Sequence, residues 1–314
     1  MLVTGATGLL GGWLVRELVS READVVAIVR DGVPRTFLKE ERLEERVTVC
    51  RGDVREMDVT RRVLAEYEID TVFHLAAQTI VPIANASPLS TFETNVAGTW
   101  ILLEACRLAG SVASVVVASS DKAYGPSDRL PYLESHRLEG RSPYDVSKSC
   151  ADLIAQAYAQ TYGLNVGIVR CGNLFGGGDR NYNRLVPGVI RDVMSRARPI
   201  LRSDGSPVRD YIYAEDAAKA YVLFAEALLA DGTLSGTAFN FSLERPVTVL
   251  ELVQMVLSTM GSELAPDVRG TASAELSEQY LDASAARSRL GWKPAVDLED
   301  GLARTVAWYG EHGL

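Results

Sequence analysis

The chain has 314 residues, 47% of them hydrophobic, which is enough for a substantial core in one large or two smaller domains. Subtracting 41 acidic from 32 basic residues leaves a net charge of -9, so the composition excludes a basic face for nucleic acid or an anionic membrane. The four widely spaced cysteines have neither the pairing of a zinc site nor the density of a disulfide framework, so free thiols and no metal are expected.

A short strand at the start of the chain runs into a glycine-rich turn. Residues 1–3 precede this turn, whereas a buried strand usually has five or six residues, so the first strand is expected to be clipped. Gly5, Gly8 and Gly11 lead into an amphipathic helix over residues 13–20. Such glycines allow a tight turn and a close backbone approach to a pyrophosphate at a helix N-terminus, so the pattern predicts a dinucleotide site. Thr7, Leu9 and Leu10 of the same turn are also expected to contact the dinucleotide.

No charged signal region precedes this turn, and no run approaches eighteen uninterrupted apolar residues. We therefore expect a cytoplasmic protein with no membrane partner.

The ends of the second and third strands bear on the choice of cofactor. The second strand, residues 24–29, ends at Val29, where an acidic residue would bind the adenosine ribose of NAD. Arg30 beside it favours the 2′-phosphate of NADP, without excluding NAD. The third strand, residues 47–51, is followed by Asp53 and Val54. Asp53 is expected either to bond the adenine amino group or to cap the next helix.

A fourth strand over residues 71–75 ends in small residues that let the backbone run beside a cofactor. His74 in this strand is interpreted as structural. A long helix is predicted over residues 91–109, and it contains Asn95, which either orders water near the site or faces solvent. The expected cofactor contacts here are Leu75, Ala76, Ala77 and Asn95, with Gln78 facing the substrate.

The residues from 115 to 148 contain most of the candidate chemistry. Residues 115–118 form a β-branched apolar run, typical of a buried parallel strand, and Ser120, Asp121 and Lys122 follow at its carboxyl end. Open α/β sheets bind ligands at that end.

Ser142 and Pro143 predict the start of a helix that brings Tyr144 and Lys148, four residues apart, onto one face. A lysine ammonium beside a phenol favours the phenolate, so we expect it to lower the pKa of Tyr144 and make it an acid or base near neutral pH.

Strands and helices have alternated about six times by the strand at residues 166–170, which predicts an α/β fold with a doubly wound parallel sheet, the Rossmann arrangement. We expect a dinucleotide-binding domain over residues 1–170 and a smaller C-terminal substrate lobe over residues 171–314. The segment around 209–242 is expected to return to the first domain.

The second lobe begins with a glycine-rich loop followed by arginines and asparagines, a composition that suits a sugar nucleotide diphosphate. Residues 201–213 predict a strand pair turning at Asp204-Gly205. Helices are predicted from Leu185 and over residues 249–260, 283–290 and 298–309. The candidate substrate residues of this lobe are Asn173, Arg184 and Arg209.

Nine motifs occur in an order that resembles the extended short-chain dehydrogenase/reductases of the sugar-nucleotide epimerase and dehydratase group. The motifs are TGATGLLGG at 4–12, GDV at 52–54, FHLAAQ at 73–78, TNVAGT at 94–99, SSDKAYG at 119–125, SPYDVSK at 142–148, RCGNLFGGG at 170–178, RDYIYAEDAA at 209–218 and LGWKP at 290–294. The resemblance implies a tightly bound, recycled NAD(P), a nucleotide-diphosphate sugar substrate and a homodimer. It also implies that Tyr144 and Lys148 are the catalytic pair and that Ser120 polarises the sugar C4 oxygen.

The pair Asp121-Lys122 resembles the 4,6-dehydratases of the CDP-glucose type, whereas epimerases generally have small or nonacidic residues there. The implied reaction is oxidation at C4, removal of the C5 proton by Lys122, loss of the C6 hydroxyl protonated by Asp121, and hydride return to C6. The alternative for this pair is a strand-end ion pair. The alternative functions are an epimerase acting at C4 or C5 and a noncatalytic dinucleotide sensor.

Overall fold

The computed structural model describes residues 1–271 and 276–314. The strands in these ranges are β1 Leu2–Thr4, β2 Val26–Val29, β3 Thr48–Arg51, β4 Thr71–His74, β5 Ser114–Ala118, β6 Val166–Cys171, β7 Asn173–Phe175, β8 Ile200–Leu201, β9 Val208–Arg209, β10 Tyr211–Tyr213, β11 Ala238–Phe241, β12 Val247–Thr248, β13 Asp267–Val268 and β14 Glu278–Gln279. The helices are α1 Leu9–Ser20, α2 Phe37–Glu40, α3 Met57–Glu66, α4 Val81–Ala86, α5 Pro88–Phe92, α6 Gly98–Ala109, α7 Pro143–Tyr162, α8 Leu185–Met194, α9 Ala214–Ala230, α10 Val249–Thr259, α11 Ser284–Leu290 and α12 Leu298–His312.

Seven strands form one parallel sheet in the order β11-β6-β5-β4-β1-β2-β3. The chain starts in the middle of the sheet at β1 and winds outward to β3. It then crosses to β4 and winds outward on the other side. The strand order reverses between β1 and β4, which is where open α/β sheets bind ligands. The predicted doubly wound sheet is confirmed.

The strands of this sheet are buried on both faces. Val115 and Val117 of β5 belong to one hydrophobic cluster with residues of α3 and α6, and Val116 belongs to a second cluster with residues of α1 and α9. Successive side chains of a strand point to opposite faces, so one apolar run packs against two helix layers. This packing fixes the position of β5 within the sheet and therefore the position of the residues that follow it.

The strand pair predicted over residues 201–213 is wrong. β8 pairs with β13, β10 pairs with β7, and β9 lies between β12 and β14. Each of these strands has only two or three residues. A hairpin that short buries too little surface to be stable, so the partners come from distant parts of the chain.

The long helix predicted over residues 91–109 begins earlier, at Pro88, and is interrupted. Residues Glu93–Ala97 form a wider π-turn between α5 and α6. Such turns are often found at functional sites, and this one contains Asn95. None of the helices within residues 1–271 and 276–314 is long and apolar enough to cross a membrane.

Candidate active site

The three glycines of the first turn have different structural roles. Gly5 has a φ of +74°, and a Cβ there would lie 2.8 Å from the backbone nitrogen of Ala76. A Cβ at Gly11 would overlap the Gly5 carbonyl oxygen, so this glycine allows α1 to pack close to β1. A Cβ at Gly8 would meet only that same oxygen, at 3.4 Å. The space beside Gly8, at the uncapped N-terminus of α1, therefore fits a pyrophosphate.

Thr4 holds the backbone that follows β4 in place beside this turn, a role that was not predicted from the sequence. Its hydroxyl accepts hydrogen bonds from the backbone nitrogens of Leu75 and Ala76 at 3.1 and 3.2 Å and contacts His74 Nδ1 at 2.9 Å. The other ring nitrogen of His74 contacts the Thr99 hydroxyl. Burial and the nearby Lys148 lower the pKa of His74 to about 3, so this histidine is neutral and structural.

Asn95 joins two parts of the site from inside the π-turn. Its side chain accepts from the backbone nitrogen of Gln78 at 2.6 Å and donates to the Gln78 carbonyl and the Ser147 hydroxyl at 3.0 and 2.8 Å. Because Asn95 is 2% exposed, the alternative that it faces solvent is wrong. It fixes the segment after β4 against α7, the helix that carries Tyr144 and Lys148.

Arg30 and Asp53 lie near the ends of β2 and β3. Arg30 is exposed and pairs with Asp31 at 2.7 Å. Asp53 accepts hydrogen bonds from the backbone and guanidinium of Arg55, which help to lower the pKa of this carboxyl against the opposing effect of burial. The residue at the N-terminus of α3 is Glu56, so Asp53 does not cap that helix as one alternative held.

Ser120 and Tyr144 come together at the carboxyl end of β5. A capping box of Ser142 and Asp145 starts α7, with Pro143 in its first turn, as the sequence predicted. Tyr144 is 9% exposed and interacts with Ser120, and the ammonium of Lys148 donates to the Ala118 carbonyl at 2.7 Å. The helix therefore points both catalytic candidates at the end of one buried strand.

The expectation that Lys148 lowers the pKa of Tyr144 is wrong for this structure. Burial raises the pKa of Tyr144 to about 12, and the interaction with Ser120 only partly offsets it. Burial also lowers the pKa of Lys148 to about 8, while Asp152 one turn further along α7 opposes that effect. Desolvation thus dominates the pKa of both side chains.

Asp121 and Lys122 form a short turn directly after Ser120. The Asp121 carboxylate accepts from the Ser120 hydroxyl at 2.9 Å and is paired with the Lys122 ammonium at 3.4 Å. Lys122 also donates to the side-chain oxygen of Gln279 at 2.5 Å. The ion-pair alternative is thus present in the structure, and it does not exclude a catalytic role. Gln279 has no local sequence signal, since it is 157 residues away from Lys122 in the chain.

Apart from Ser120, the four other candidate substrate residues lie in different surroundings. Arg184 pairs with Asp179 and donates to Thr79, and its charge reaches Tyr144. Asn173 donates to the backbone carbonyl of Asp210 at 3.3 Å. Arg209 is buried and donates to backbone carbonyls, including that of Leu276, and Gln78 accepts from the Ile80 nitrogen. Arg184 is thus the residue of this group whose charge acts on Tyr144.

A buried network behind the Asp121 turn was not predicted. Arg170 on β6 makes two hydrogen bonds to Asp152 on α7, at 2.8 and 2.9 Å, and donates to the hydroxyl of Tyr124. That hydroxyl donates to Asn240 on β11. Because Tyr124 ends the turn that begins at Asp121, the network ties the turn to the helix of the Tyr-Lys pair.

The fold and the glycine turn define a doubly wound α/β protein with a dinucleotide site next to a Ser-Tyr-Lys set. Residues 1–240 match the NAD dependent epimerase/dehydratase family, and the chain belongs to that family.

Several relatives cover nearly the whole chain. The sequence is 35% identical to a dTDP-glucose 4,6-dehydratase of Streptomyces griseus, over 99% of this chain and 94% of that protein. It is 32% identical to the CDP-glucose 4,6-dehydratase of Salmonella typhimurium, over 98% of this chain and 90% of that protein. Among solved structures, a dTDP-glucose 4,6-dehydratase of Streptomyces venezuelae with NAD bound has a TM-score of 0.86 at 31% identity, covering 99% of this chain and 96% of that one.

An epimerase is also similar in structure. The UDP-glucose 4-epimerase of Thermotoga maritima, solved with UDP-glucose, has a TM-score of 0.90 at 26% identity and covers 99% of this chain and 98% of that one. The shared fold therefore does not by itself separate dehydration from epimerisation.

Proposed function

We propose that this protein is an NAD(P)-dependent nucleotide-sugar 4,6-dehydratase, a lyase that converts an NDP-hexose into an NDP-4-keto-6-deoxyhexose. The observation that carries the proposal is the Asp121-Lys122 pair, which follows directly on Ser120 beside Tyr144. An acid and a base at that point can act on C6 and C5 while the serine and tyrosine act on C4. The 4,6-dehydratases among the relatives support it.

Oxidation at C4 is assigned to Ser120, Tyr144 and Lys148. Tyr144 takes the proton of the C4 hydroxyl, and Ser120 polarises the same oxygen. Because burial raises the pKa of Tyr144, the phenolate needs a nearby positive charge. The pKa of Lys148, about 8, leaves most of that lysine protonated at neutral pH to supply it.

Loss of water is assigned to Lys122 and Asp121. A ketone at C4 acidifies the C5 hydrogen, so the neutral Lys122 amine can remove that proton. Protonated Asp121 donates to the C6 hydroxyl, which leaves as water. Both side chains lie at the start of the short turn that follows β5, and we assign Asp121 to the C6 hydroxyl and Lys122 to the neighbouring C5 hydrogen.

The cofactor is assigned to the turn at Gly5, Gly8 and Gly11, the segment after β4, and the Tyr144-Lys148 pair. A bound nicotinamide would accept hydride from C4 and return it to C6, and the protonated Lys122 would then return a proton to C5. Residues Thr7, Leu9, Leu10, Arg30, Asp53, Val54, Leu75, Ala76, Ala77 and Asn95 are proposed to complete its site. Gln78, Asn173, Arg184 and Arg209 are proposed to hold the nucleotide sugar.

Incubating the purified protein with a panel of nucleotide sugars tests the function. The expected product has lost the mass of one water and carries solvent deuterium at C5. Asp121→Asn cannot supply an acidic proton, so it should slow water loss by about 10²-fold or more while permitting C4 oxidation. Lys122→Met removes the base, so it should slow proton exchange at C5 by about 10²-fold or more. Deuterium at C5 and product mass are measured together in the wild type and both variants.

The epimerase alternative makes the opposite prediction in that assay. Epimerisation at C4 alone needs neither Asp121 nor Lys122. An isomer of unchanged mass, without deuterium at C5 and with both variants fully active, would overturn the dehydratase assignment. A sensor would bind the dinucleotide and turn over none of the sugars.

We propose a preference for NADP, supported by the position of Arg30 at the end of β2, where its guanidinium is exposed and pairs with the exposed Asp31 at 2.7 Å. Arg30→Ala should weaken NADP binding by about tenfold and leave NAD binding nearly unchanged, since only NADP carries the 2′-phosphate that a charge-assisted bond would hold. Titration calorimetry with both dinucleotides measures this, and equal losses would make Arg30 an ordinary surface residue.

We propose a homodimer that pairs the α5–α6 and α7 helices of two chains. These neighbouring helices expose large apolar side chains, among them Leu89, Trp100, Leu153 and Tyr162, 46% to 70% exposed. Light scattering at micromolar concentration should give twice the chain mass of 34.1 kDa. Leu153→Arg should give a monomer, whereas Leu229→Arg on α9, equally exposed, should not. A wild-type monomer would contradict the proposal.

We further propose two lobes, residues 1–170 and 171–314, with the segment near 209–242 returning to the first. Pairing of β11 with β6 supports that return.

A cytoplasmic location is proposed because the four cysteines are free thiols, three of them buried.

A further inference from the structure

Gln279 reaches the Asp121-Lys122 pair from the C-terminal part of the chain. It lies on β14 and is 2% exposed. Its side-chain oxygen accepts from the Lys122 amine at 2.5 Å, and its side-chain nitrogen donates to the Asp121 carbonyl at 3.3 Å. The second bond fixes the amide orientation, because a carbonyl accepts only from the nitrogen end. The oxygen end must then face Lys122.

The backbone around Gln279 is held on both sides. β14 pairs with β9, with Gln279 opposite Arg209. On the other side, the nitrogen of Tyr132 donates to the Tyr280 carbonyl and the nitrogen of Asp282 donates to the Tyr132 carbonyl, both at 3.0 Å. A side chain on a strand fixed in this way has little freedom, so its amide is preorganised at the site.

The number of acceptors around the Lys122 nitrogen matches what a base needs. A neutral amine has two N–H bonds and one lone pair. The Gln279 oxygen and the Asp121 Oδ2 atom, at 2.5 and 3.4 Å, can accept the two N–H bonds. The lone pair of the amine then points in the direction that neither acceptor occupies. Within residues 1–271 and 276–314, the charged groups that interact with Lys122 are Asp121 and Asp145.

We propose that Gln279 is a positioning residue that orients the Lys122 amine for removal of the C5 proton. The inference rests on the proposed dehydratase function. In the step it serves, the C5–H bond breaks, its electron pair stays with the 4-keto sugar, and the proton bonds to the lysine nitrogen. Expulsion of the C6 hydroxyl then consumes that electron pair and the Asp121 proton.

Two variants of similar size test the proposal. Gln279→Met removes the acceptor and should lower the rate of water loss about tenfold, with KM within about twofold and C4 oxidation retained. Gln279→Glu sets a carboxylate beside the amine and favours the ammonium form. Since only the neutral amine acts as a base, the acid limb of the kcat profile should move to higher pH. A merely structural role would not move that limb.

Glu278→Gln is the matched control, because Glu278 lies on the same strand with an exposed side chain. It should behave as the wild type in rate and pH profile. A wild-type kcat in Gln279→Met together with an unshifted pH profile in Gln279→Glu would overturn this inference and leave the proposed function intact. Absence of water loss in the wild type would instead overturn the proposed function. If Gln279→Met does not fold, the pH profile of Gln279→Glu decides.

Discussion

Replacing Tyr144 with phenylalanine is expected to lower kcat by about 10²- to 10⁴-fold, the usual contribution of a general acid-base group. The change removes one oxygen from a buried ring and leaves the ring's packing in place. Ser120 keeps its hydrogen bonds to the Asp121 carboxylate and from the Lys122 nitrogen, so the variant loses only the phenol oxygen that is assigned to accept the C4 proton. The loss should therefore fall on the chemical step.

Steady-state kinetics with the nucleotide sugar found by the panel, together with dinucleotide binding by calorimetry, measure this effect. Binding of the dinucleotide should stay within about threefold, because the variant loses one hydroxyl while the glycine turn, the segment after β4 and Lys148 are unchanged. Tyr162→Phe, on the same helix and 58% exposed, is the control and should keep full activity. Retention of more than about a tenth of the wild-type kcat in Tyr144→Phe would rule out the assigned role.

Removing the Asp152 carboxylate is expected to lower the free energy of unfolding by about 3–5 kcal/mol, because it leaves a buried guanidinium unpaired. Arg170 is 2% exposed and makes two bonds to Asp152, which is fully buried. Asp152→Ala also removes a charge that raises the pKa of Lys148, so that pKa should fall below about 8. Activity at neutral pH should then decline along with stability.

Urea unfolding of three variants separates the buried charge from lost packing. The double variant Asp152→Leu with Arg170→Met replaces both partners by apolar groups and should lose much less than Asp152→Ala. Glu66→Ala breaks the exposed pair with Arg62 on α3 and should cost about 1 kcal/mol or less. Equal losses in Asp152→Ala and Glu66→Ala would show that the Arg170 network does not hold the site together.

The parts of the site that depend on nearby residues were predictable. Gly5, Gly8 and Gly11 lie within seven residues of one another, and the Ser142 cap sets the start of α7 within one turn of Tyr144. Apolar runs such as β5 identified the buried strands, because a strand covered on both faces needs an uninterrupted run. These features follow from backbone geometry and burial along a short stretch of chain.

Tertiary structure alone decided the contacts between distant residues. The two-residue strands of the tail carry too little pattern to name their partners, so the pairing of β9 with β12 and β14 was mistaken for a hairpin. Gln279 meets Lys122, and Asn95 joins Gln78 to Ser147, only because the folded chain brings their segments together. The pKa of Tyr144 likewise depends on how much water the folded chain excludes, and the four-residue spacing to Lys148 carries no information about that burial.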